Sequence, residues 1–325
     1  MKKNSYLYIC ILVLVILLGG MIYVNKNITD SMNDAENEQV SQEVLPYSFR
    51  DALGNEVVVN SIDRVVVLYG SFTEAWINGG GSVVGTTEDA ITERNLDLDD
   101  EVRIVGTVKE PNLEEIIAVD PTFVILSADI ENHKEFGNSF EQMDIPYAYM
   151  RIDIFEDYLD FLKISSDMNR RSDLYEKNGL KVSKAIDKIL DKIPKDSNAK
   201  ILFLRAYSSG AKAKTDDNFV GIILEELGTE NIAKKYPSLL EDLSIETIIE
   251  EDPDYIFVTT MGNEENALRA LKEGIESNPA WNTLKAVKND RYIVLPKDLF
   301  HYKPNARWAE SYEYLAKIIY PQVFE

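Results

Sequence analysis

The most constraining feature of the sequence is a segment that occurs twice with the same pattern. NLEEIIAVDPTFVIL starts at Asn112, and SIETIIEEDPDYIFV starts at Ser244. In each copy an N-cap residue and a first-turn glutamate, Glu114 or Glu246, favour a short helix, and an Asp-Pro pair ends it. A continuous run of β-branched, aromatic and aliphatic residues follows, which is typical of a strand covered on both faces. The repeat therefore predicts two Rossmann-like α/β lobes with mainly parallel sheets.

The rest of the chain supports this fold class. Short apolar runs between turn residues predict further strands, at 63–70, 82–87, 102–107, 123–127 and 146–151 in the first half and 200–207, 231–233, 255–260 and 291–296 in the second. Helices are predicted after Ser71, after Asp217 as the N-cap residue, and after Pro304. Strands that alternate with helices indicate parallel sheets.

Composition shifts divide the chain into five parts. We predict a membrane segment at residues 1–24, a flexible linker at 25–46, an N-terminal lobe at 47–153, a connecting helix at 154–195 and a C-terminal lobe at 196–325. From Phe155 to Ile193 this connecting segment contains no proline and has apolar residues at helical spacing. One long helix fits this pattern, and two helices broken at Asn178 and Gly179 are the alternative.

The N-terminal segment predicts an extracytoplasmic location for everything that follows it. Residues 6–24 contain no charge and follow Lys2 and Lys3, so the segment is long enough to span a bilayer with its N-terminus in the cytoplasm. A cleaved signal peptide is the alternative, but LLGGMIYVNKN lacks the usual small-residue cleavage site. The polar linker would then hold the folded lobes off the membrane.

Charge and cysteine content exclude several classes of function. The chain has 34 basic and 56 acidic residues and a net charge of −22, which repels nucleic acid. The single cysteine, Cys10, lies in the apolar segment, so neither an internal disulfide nor a two-cysteine metal site can form. The motifs G-x-G-x-x-G, Walker A and G-x-S-x-G are absent from the sequence, which disfavours an enzyme.

Candidate binding residues follow the predicted strands, because ligands of α/β sheets bind outside the carboxyl ends of the strands. These residues are Tyr69, Ser71, Lys109, Arg151, Arg205, Tyr207, Met261, His301 and Tyr302. So many cations in an acidic chain indicate a ligand with negative groups, which arginine grips bidentately. For any single arginine, an ion pair with one of the chain's own acids is an equally good interpretation.

His301 is the candidate for contact with a metal. It lies directly after a predicted strand, with Tyr302 beside it and Met261 as a softer neighbour. An ordinary loop histidine is the alternative, and the other histidine, His133, is predicted to be a surface residue without a role. A bare metal site needs several histidines or cysteines, so the sequence favours a metal already held in an organic shell.

Five phrases of the sequence, in this order, resemble the class III substrate-binding proteins of ABC importers, which capture siderophores, heme and cobalamin. The phrases are FRDALGNEVVV with DRVVVLYGSFTEAW, VVGTTEDA, GTVKEPNLEEIIAVDPTFVIL, SIETIIEEDPDYIFV and NPAWNTLKAVKNDRYIVLP. The resemblance covers residues 47–325. It differs in one respect, because members from bacteria with one membrane usually carry a lipid-modified cysteine at the end of the apolar run, whereas Cys10 precedes most of it.

The resemblance implies a binding protein without intrinsic cofactor or catalysis that delivers an iron complex, a ferric siderophore or heme, to a permease and its ATPase. In that family a glutamate on each lobe docks onto the permease, and the matching residues here are Glu114 and Glu246. A corrinoid binder of the same class, a two-lobed cofactor enzyme, and a surface sensor or adhesin with the same fold are the alternatives.

Overall fold

The duplicated segment takes the same form in both copies in a computed structural model, which describes residues 45–324. In each copy an aspartate with a left-handed backbone follows the helix, Asp120 with φ 46° and Asp252 with φ 43°. Aspartate tolerates this conformation better than most residues, and the following proline prevents further helix. The strands after the two prolines lie in different sheets. The prediction of two α/β lobes is therefore confirmed.

The first lobe contains a hairpin and a five-stranded parallel sheet. The strands are β1 (Tyr47–Arg50), β2 (Glu56–Val59), β3 (Val65–Val67), β4 (Gly85–Thr86), β5 (Arg103–Ile104), β6 (Phe123–Ser127) and β7 (Tyr147–Met150). Strands β1 and β2 pair antiparallel, and the sheet order is β5-β4-β3-β6-β7. The helices are α1 (Gly70–Asn78), α2 (Asp89–Thr92), α3 (Leu113–Ala118) and α4 (Glu131–Gln142). All residues of β6 are buried, as its continuous apolar run predicts.

The connecting segment is not one helix. It consists of α5 (Phe155–Met168), α6 (Ser172–Tyr175), a π-helical turn (Glu176–Leu180) and α7 (Lys181–Leu190). The chain breaks after α5, where Arg170 has a φ of 56°. Because the segment is interrupted there, the predicted single helix over 154–195 is wrong. Helix α5 packs on α1 of the first lobe.

The predicted alternative break at Asn178 and Gly179 is also wrong, because both residues lie inside the π-helical turn. A Cβ at Gly179 would lie 3.0 Å from Leu159 and Leu162 of α5, so glycine allows the π-helical turn to pack closely on α5. The side-chain amide of Asn178 donates to the carbonyl of Asn78 at 2.7 Å. Asn178 and Gly179, which in the sequence suggest a helix break, therefore hold the π-helical turn against α1 and α5 of the structure.

The second lobe has a mixed five-stranded sheet. Its strands are β8 (Lys200–Tyr207), β9 (Gly210–Ala213), β10 (Glu230–Asn231), β11 (Tyr255–Thr260) and β12 (Tyr292–Val294). The parallel order is β10-β8-β11-β12, and β9 pairs antiparallel with β8. The helices are α8 (Phe219–Glu226), α9 (Ile232–Lys235), α10 (Ile245–Glu251), α11 (Glu264–Glu273), α12 (Lys285–Lys288), α13 (Lys297–Phe300) and α14 (Trp308–Ile319).

One hydrophobic core runs through both lobes and the connecting helices. Trp308 at the start of α14 is 1% exposed. Its ring centroid lies 5.9 Å from that of Phe155 in α5 and 5.3 Å from that of Phe219 in α8. Helix α7 packs along α14. Because close-packed interiors resist deformation, we expect this shared core to limit the motion of one lobe against the other.

Between residues 45 and 324, no helix combines the length and apolar character needed to cross a bilayer. The predicted membrane segment at 1–24 and nearly all of the linker at 25–46 lie outside the described residues.

Candidate ligand-binding site between the lobes

The carboxyl ends of the parallel strands bring groups of both lobes together around Tyr302. This tyrosine follows α13, which is separated from β12 by two residues. The guanidinium carbon of Arg94, from the first lobe, lies 5.7 Å from the centre of the Tyr302 ring. Burial, and next the nearby charge of Glu93, raise the pKa of the Tyr302 hydroxyl. Tyr302 therefore lies where the lobes meet.

Tyr69 supplies the first lobe's aromatic group at this site. It precedes α1, and its ring centroid lies 4.9 Å from that of Phe72. Burial, followed by the charges of Asp89 and Glu93, raises the pKa of Tyr69 to about 12. Ser71 is 1% exposed in the same turn. Tyr69 and Tyr302 thus share the influence of the same carboxylates, although they belong to different lobes.

The second lobe contributes positive charge. The Nε atom of Arg205, near the end of β8, is buried without a hydrogen-bond partner. Lys297 donates from Nζ to the carbonyl of Gly262 at 2.5 Å, beside Met261. No ion pair joins either cation to a carboxylate of residues 45–324. Two cations without acidic partners can attract an anionic ligand.

His301 lies beside Tyr302 and feels the charge of both cations. The rings of His301 and Tyr302 meet edge to face, with centroids 4.6 Å apart. Burial first, and then the charges of Lys297 and Arg205, lower the pKa of His301 to about 4. The imidazole is therefore neutral at pH 7, which is the form that coordinates a metal. In the part of the chain from 45 to 324, no cluster of three or more metal-ligating side chains occurs.

A buried hydrogen-bond network fixes the loop that carries His301 and Tyr302 to the first lobe. The side-chain amide of Asn305 donates to the carbonyl of Ser71 at 2.9 Å and to Oε2 of Glu74 at 2.8 Å. Glu74 also pairs with Arg94, whose side chain is 7% exposed. The predicted site did not include Asn305, Glu74, Arg94, Glu93 or Lys297. They come from different elements, and no local motif marks them.

The other predicted site residues lie elsewhere around the strand ends. Arg151 donates from Nε to Asp129 Oδ1 at 2.8 Å and lies 3.7 Å from Asp153. For Arg151 the structure therefore shows the alternative named above, an ion pair with one of the chain's own acids. Lys109 is exposed, and Tyr207 is half-buried opposite Gly210 in the β8–β9 hairpin. Their ligand contacts stay predictions.

Glu114 and Glu246 occupy equivalent exposed positions in the first turns of α3 and α10. Asn112 caps α3 by accepting from the backbone N–H of Glu114 at 2.9 Å. The hydroxyl of Ser244 donates to Glu246 Oε2 at 3.1 Å. Within residues 45–324, neither glutamate forms an ion pair, whereas the neighbouring Glu115 pairs with Arg103. Both carboxylates are therefore available to an external cation.

His133 is a buried residue, so its prediction as a surface residue is wrong. It is 0% exposed in α4. Its Nδ1 accepts from the backbone N–H of Ser127 at 2.9 Å, and its Nε2 lies 2.7 Å from the carbonyl of Val108. An accepting Nδ1 requires the neutral ring, whose Nε2–H then donates to Val108. The sequence does not indicate that His133 is buried, because its neighbours in the chain are polar and its hydrogen-bond partners are backbone groups of other segments.

We expect His133 to make the protein less stable in acid. Burial lowers its pKa, against the hydrogen bond to Val108 and the charge of Asp89, which raise it. The stabilisation is therefore complete above the unfolded pKa of about 6.5 and is lost as the pH falls towards the folded pKa. Relative to His133→Gln, the wild-type free energy of unfolding should fall by up to about 1.4 kcal/mol per pH unit below pH 6.5. Denaturant titrations at several pH values measure this difference, and parallel curves would contradict the assignment.

Two α/β lobes with a shared core, and candidate binding groups gathered where the lobes meet, are the arrangement expected of a two-lobed solute-binding protein. The sequence profile of the periplasmic binding protein family matches residues 65–299. The chain therefore belongs to the periplasmic binding protein family. This match also confirms the expectation of a transport binding protein instead of an enzyme.

Known relatives extend the comparison over most of the chain. The Fe(3+)-citrate-binding protein YfmC of Bacillus subtilis is 28% identical over 279 residues, which cover 84% of this chain and 85% of the relative. The heme complex of Staphylococcus aureus IsdE has a TM-score of 0.63 at 20% identity and covers 79% of this chain and 98% of that one. S. aureus SirA with staphyloferrin B has a TM-score of 0.63 at 21% identity and covers 85% and 97%. The resemblance to class III substrate-binding proteins is thus confirmed.

Proposed function

We propose that this protein is the extracytoplasmic substrate-binding component of an ABC importer, and that it captures an iron complex between its lobes for delivery to a permease. The observation that carries the proposal is the pair of cations without acidic partners, Arg205 and Lys297, next to the neutral imidazole of His301. These groups suit a metal complex with anionic donor groups. One relative named as an Fe(3+)-citrate-binding protein and another named as a heme uptake system protein support the same class of cargo.

Binding proceeds without chemistry in this proposal. The guanidinium of Arg205 grips a carboxylate or other anionic group, and Lys297 adds a point charge. Tyr69 and Tyr302 pack against the organic shell from opposite lobes, and Met261 supplies a soft hydrophobic contact. The His301 imidazole is available as an axial ligand or hydrogen-bonding group for the metal complex. Ser71, Lys109, Arg151 and Tyr207 are retained as candidates for contacts at the margin of the site.

Delivery depends on docking to the permease through both lobes. Glu114 and Glu246 are exposed on equivalent helices, so two cationic sites on a permease can engage them together. We expect the core that joins the lobes through Trp308 to keep the separation of these glutamates nearly constant. We propose in addition that residues 1–24 tether the protein to the membrane and that 25–46 form the spacer. We also propose that the lobes extend over residues 47–153 and 196–325.

The absorption spectrum of the full-length protein, purified from iron-limited cultures, tests the function. A Soret band identifies heme, and a broad visible charge-transfer band identifies a ferric siderophore. A colourless preparation is then titrated with heme, ferric citrate and ferric siderophores, with quenching of tyrosine and tryptophan fluorescence as the signal. Failure to bind any of these complexes, or preferential binding of cobalamin, would contradict the proposal.

A further inference from the structure

One loop of the second lobe is attached to the first lobe. Residues 301–305, which we call the clamp loop, follow α13 and include His301 and Tyr302. At the far end of this loop, the side-chain amide of Asn305 donates to the carbonyl of Ser71 in the first lobe at 2.9 Å. The clamp loop therefore joins the two lobes beside two candidate ligand-binding residues.

A second attachment of the clamp loop is an ion pair between the lobes. Lys303 donates from Nζ to Asp153 Oδ1 at 3.3 Å. Asp153 lies between β7 and α5, at the end of the first lobe. Of the ion pairs among residues 45–324, this one alone joins residues of the two lobes. The pair therefore ties the clamp loop to the first lobe at the residue that follows Tyr302.

Both partners of this ion pair are held in place. The side chain of Lys303 is 20% exposed, and its Nζ lies 5.9 Å from the centre of the Phe219 ring. The backbone N–H of Asp153 donates to Asp157 Oδ2 at 2.7 Å, and the Asp153 carboxylate lies 3.7 Å from Nε of Arg151. A carboxylate on a fixed backbone and a mostly buried lysine lose less entropy on pairing than two free surface side chains do.

Lys303 differs from the cations that are proposed to bind the ligand. Arg205 and Lys297 form no ion pair with a carboxylate of residues 45–324, whereas the ammonium group of Lys303 already contacts Asp153. Within the same described part of the chain, the backbone N–H of Lys303 forms no hydrogen bond. Side-chain contacts with the first lobe, instead of backbone hydrogen bonds, therefore hold this part of the clamp loop.

Opening of the clamp loop needs no movement of one lobe against the other. The core around Trp308 runs through both lobes, and we expect it to limit such movement. Local detachment of a segment that is held by few contacts costs less free energy than separation of two packed lobes. The clamp loop is such a segment, and it carries His301 and Tyr302.

We propose that the ion pair between Lys303 and Asp153 is a gate, and that it must break before the iron complex enters or leaves the site. This inference rests on the proposed function, which places the ligand against His301 and Tyr302. The pair is formed in the protein without ligand, and the same contact holds the clamp loop while the ligand is bound. Loss of the pair therefore speeds entry and release by the same factor and leaves the equilibrium between them nearly unchanged.

Stopped-flow measurements on the purified full-length protein test the gate. Quenching of tyrosine and tryptophan fluorescence follows the binding of heme, ferric citrate and a neutral ferric trihydroxamate, and the concentration dependence of the observed rate gives kon and koff. Lys303→Met and Asp153→Asn should each raise both rate constants about 5-fold and leave Kd within about two-fold of wild type. The two variants change the charge in opposite directions, so electrostatic steering of an anionic complex would move their kon values apart.

Two further variants separate the ion pair from independent effects of its partners. Lys303→Met combined with Asp153→Asn should raise the rate constants no more than either single change, because no pair is left for the second change to break. Lys303→Arg keeps the pair and should keep both rate constants near wild type. The control is Glu313→Gln with Lys317→Met, which removes a 2.7 Å ion pair within α14 and should leave both rate constants unchanged.

Several outcomes would overturn the gate while the proposed function stands. These are wild-type rate constants in both single variants, a change in only one of the two rate constants, an equal rise in the control, and a double variant whose effect is the product of the single effects. If wild type binds none of the three complexes, the proposed function fails, and the inference fails with it.

Discussion

Reversing the charge of Glu114 and Glu246 together should abolish uptake of the iron complex, while the purified variant binds the complex with wild-type affinity. Each side chain is exposed at the start of a helix and has no cationic partner among residues 45–324. A lysine at either position would face a permease cation, and such a like-charge contact costs several kcal/mol. Two such contacts reduce docking by at least about 100-fold, since every 1.4 kcal/mol is a factor of ten.

Uptake of ⁵⁵Fe by cells that carry the variant as their sole copy measures this effect. The control is Glu135→Lys with Glu265→Lys, which makes an equal charge change at exposed positions of α4 and α11, one on each lobe. Normal uptake by the Glu114 and Glu246 variant would refute the docking role. An equal loss in the control would attribute the defect to net charge instead of position.

Arg205→Ala should weaken binding of an anionic iron complex about 10- to 100-fold, because a hydrogen bond to a charged group contributes about 1.5 to 3 kcal/mol. Its guanidinium has a buried nitrogen without a partner in the described chain, and we propose that the ligand pairs with this guanidinium. Arg205→Lys should recover part of the affinity, since lysine restores the charge but not the bidentate geometry. Fluorescence titration with the complex identified by the absorption spectrum measures the change.

Arg269→Ala is the matched control for Arg205, because it removes an equal charge from an exposed position on the same lobe. The two variants should melt at similar temperatures, since Arg205 forms no ion pair within residues 45–324 that its removal could break. Equal affinity of Arg205→Ala and wild type would remove Arg205 from the binding site. It would leave Lys297 as the cation that recruits the ligand.

The sequence predicts those parts of the fold that depend on neighbouring residues. Strands β8 and β11 have the predicted bounds, 200–207 and 255–260, because continuous apolar runs specify buried strands directly. The duplicated helix, aspartate and strand are predicted correctly as well, because residues within each copy determine them. The N-cap of α8 is missed by one residue, since Asn218 accepts from Val220 and Gly221 while the predicted Asp217 pairs with Lys214. Two adjacent polar residues are both good caps, so composition cannot choose between them.

Features that depend on distant contacts could not be predicted. The segment at 231–233 was predicted as a strand, but the strand ends at Asn231, which caps α9. The break after α5 also lacks a local signal, because a non-glycine residue, Arg170, adopts the left-handed conformation there. In the site, the rule on strand ends predicts Tyr69, Arg205, His301 and Tyr302. It misses Glu93 and Lys297, which lie at or within short helices a few residues further along the chain.

The continuous packing around Trp308 affects how the empty and the loaded protein compete for the permease. If the lobes barely move, the empty protein presents nearly the same pair of glutamates as the loaded one, and both forms compete for one permease. Surplus copies would then obstruct transport instead of accelerating it. A cell with this protein should therefore import fastest at an intermediate ratio of binding protein to permease.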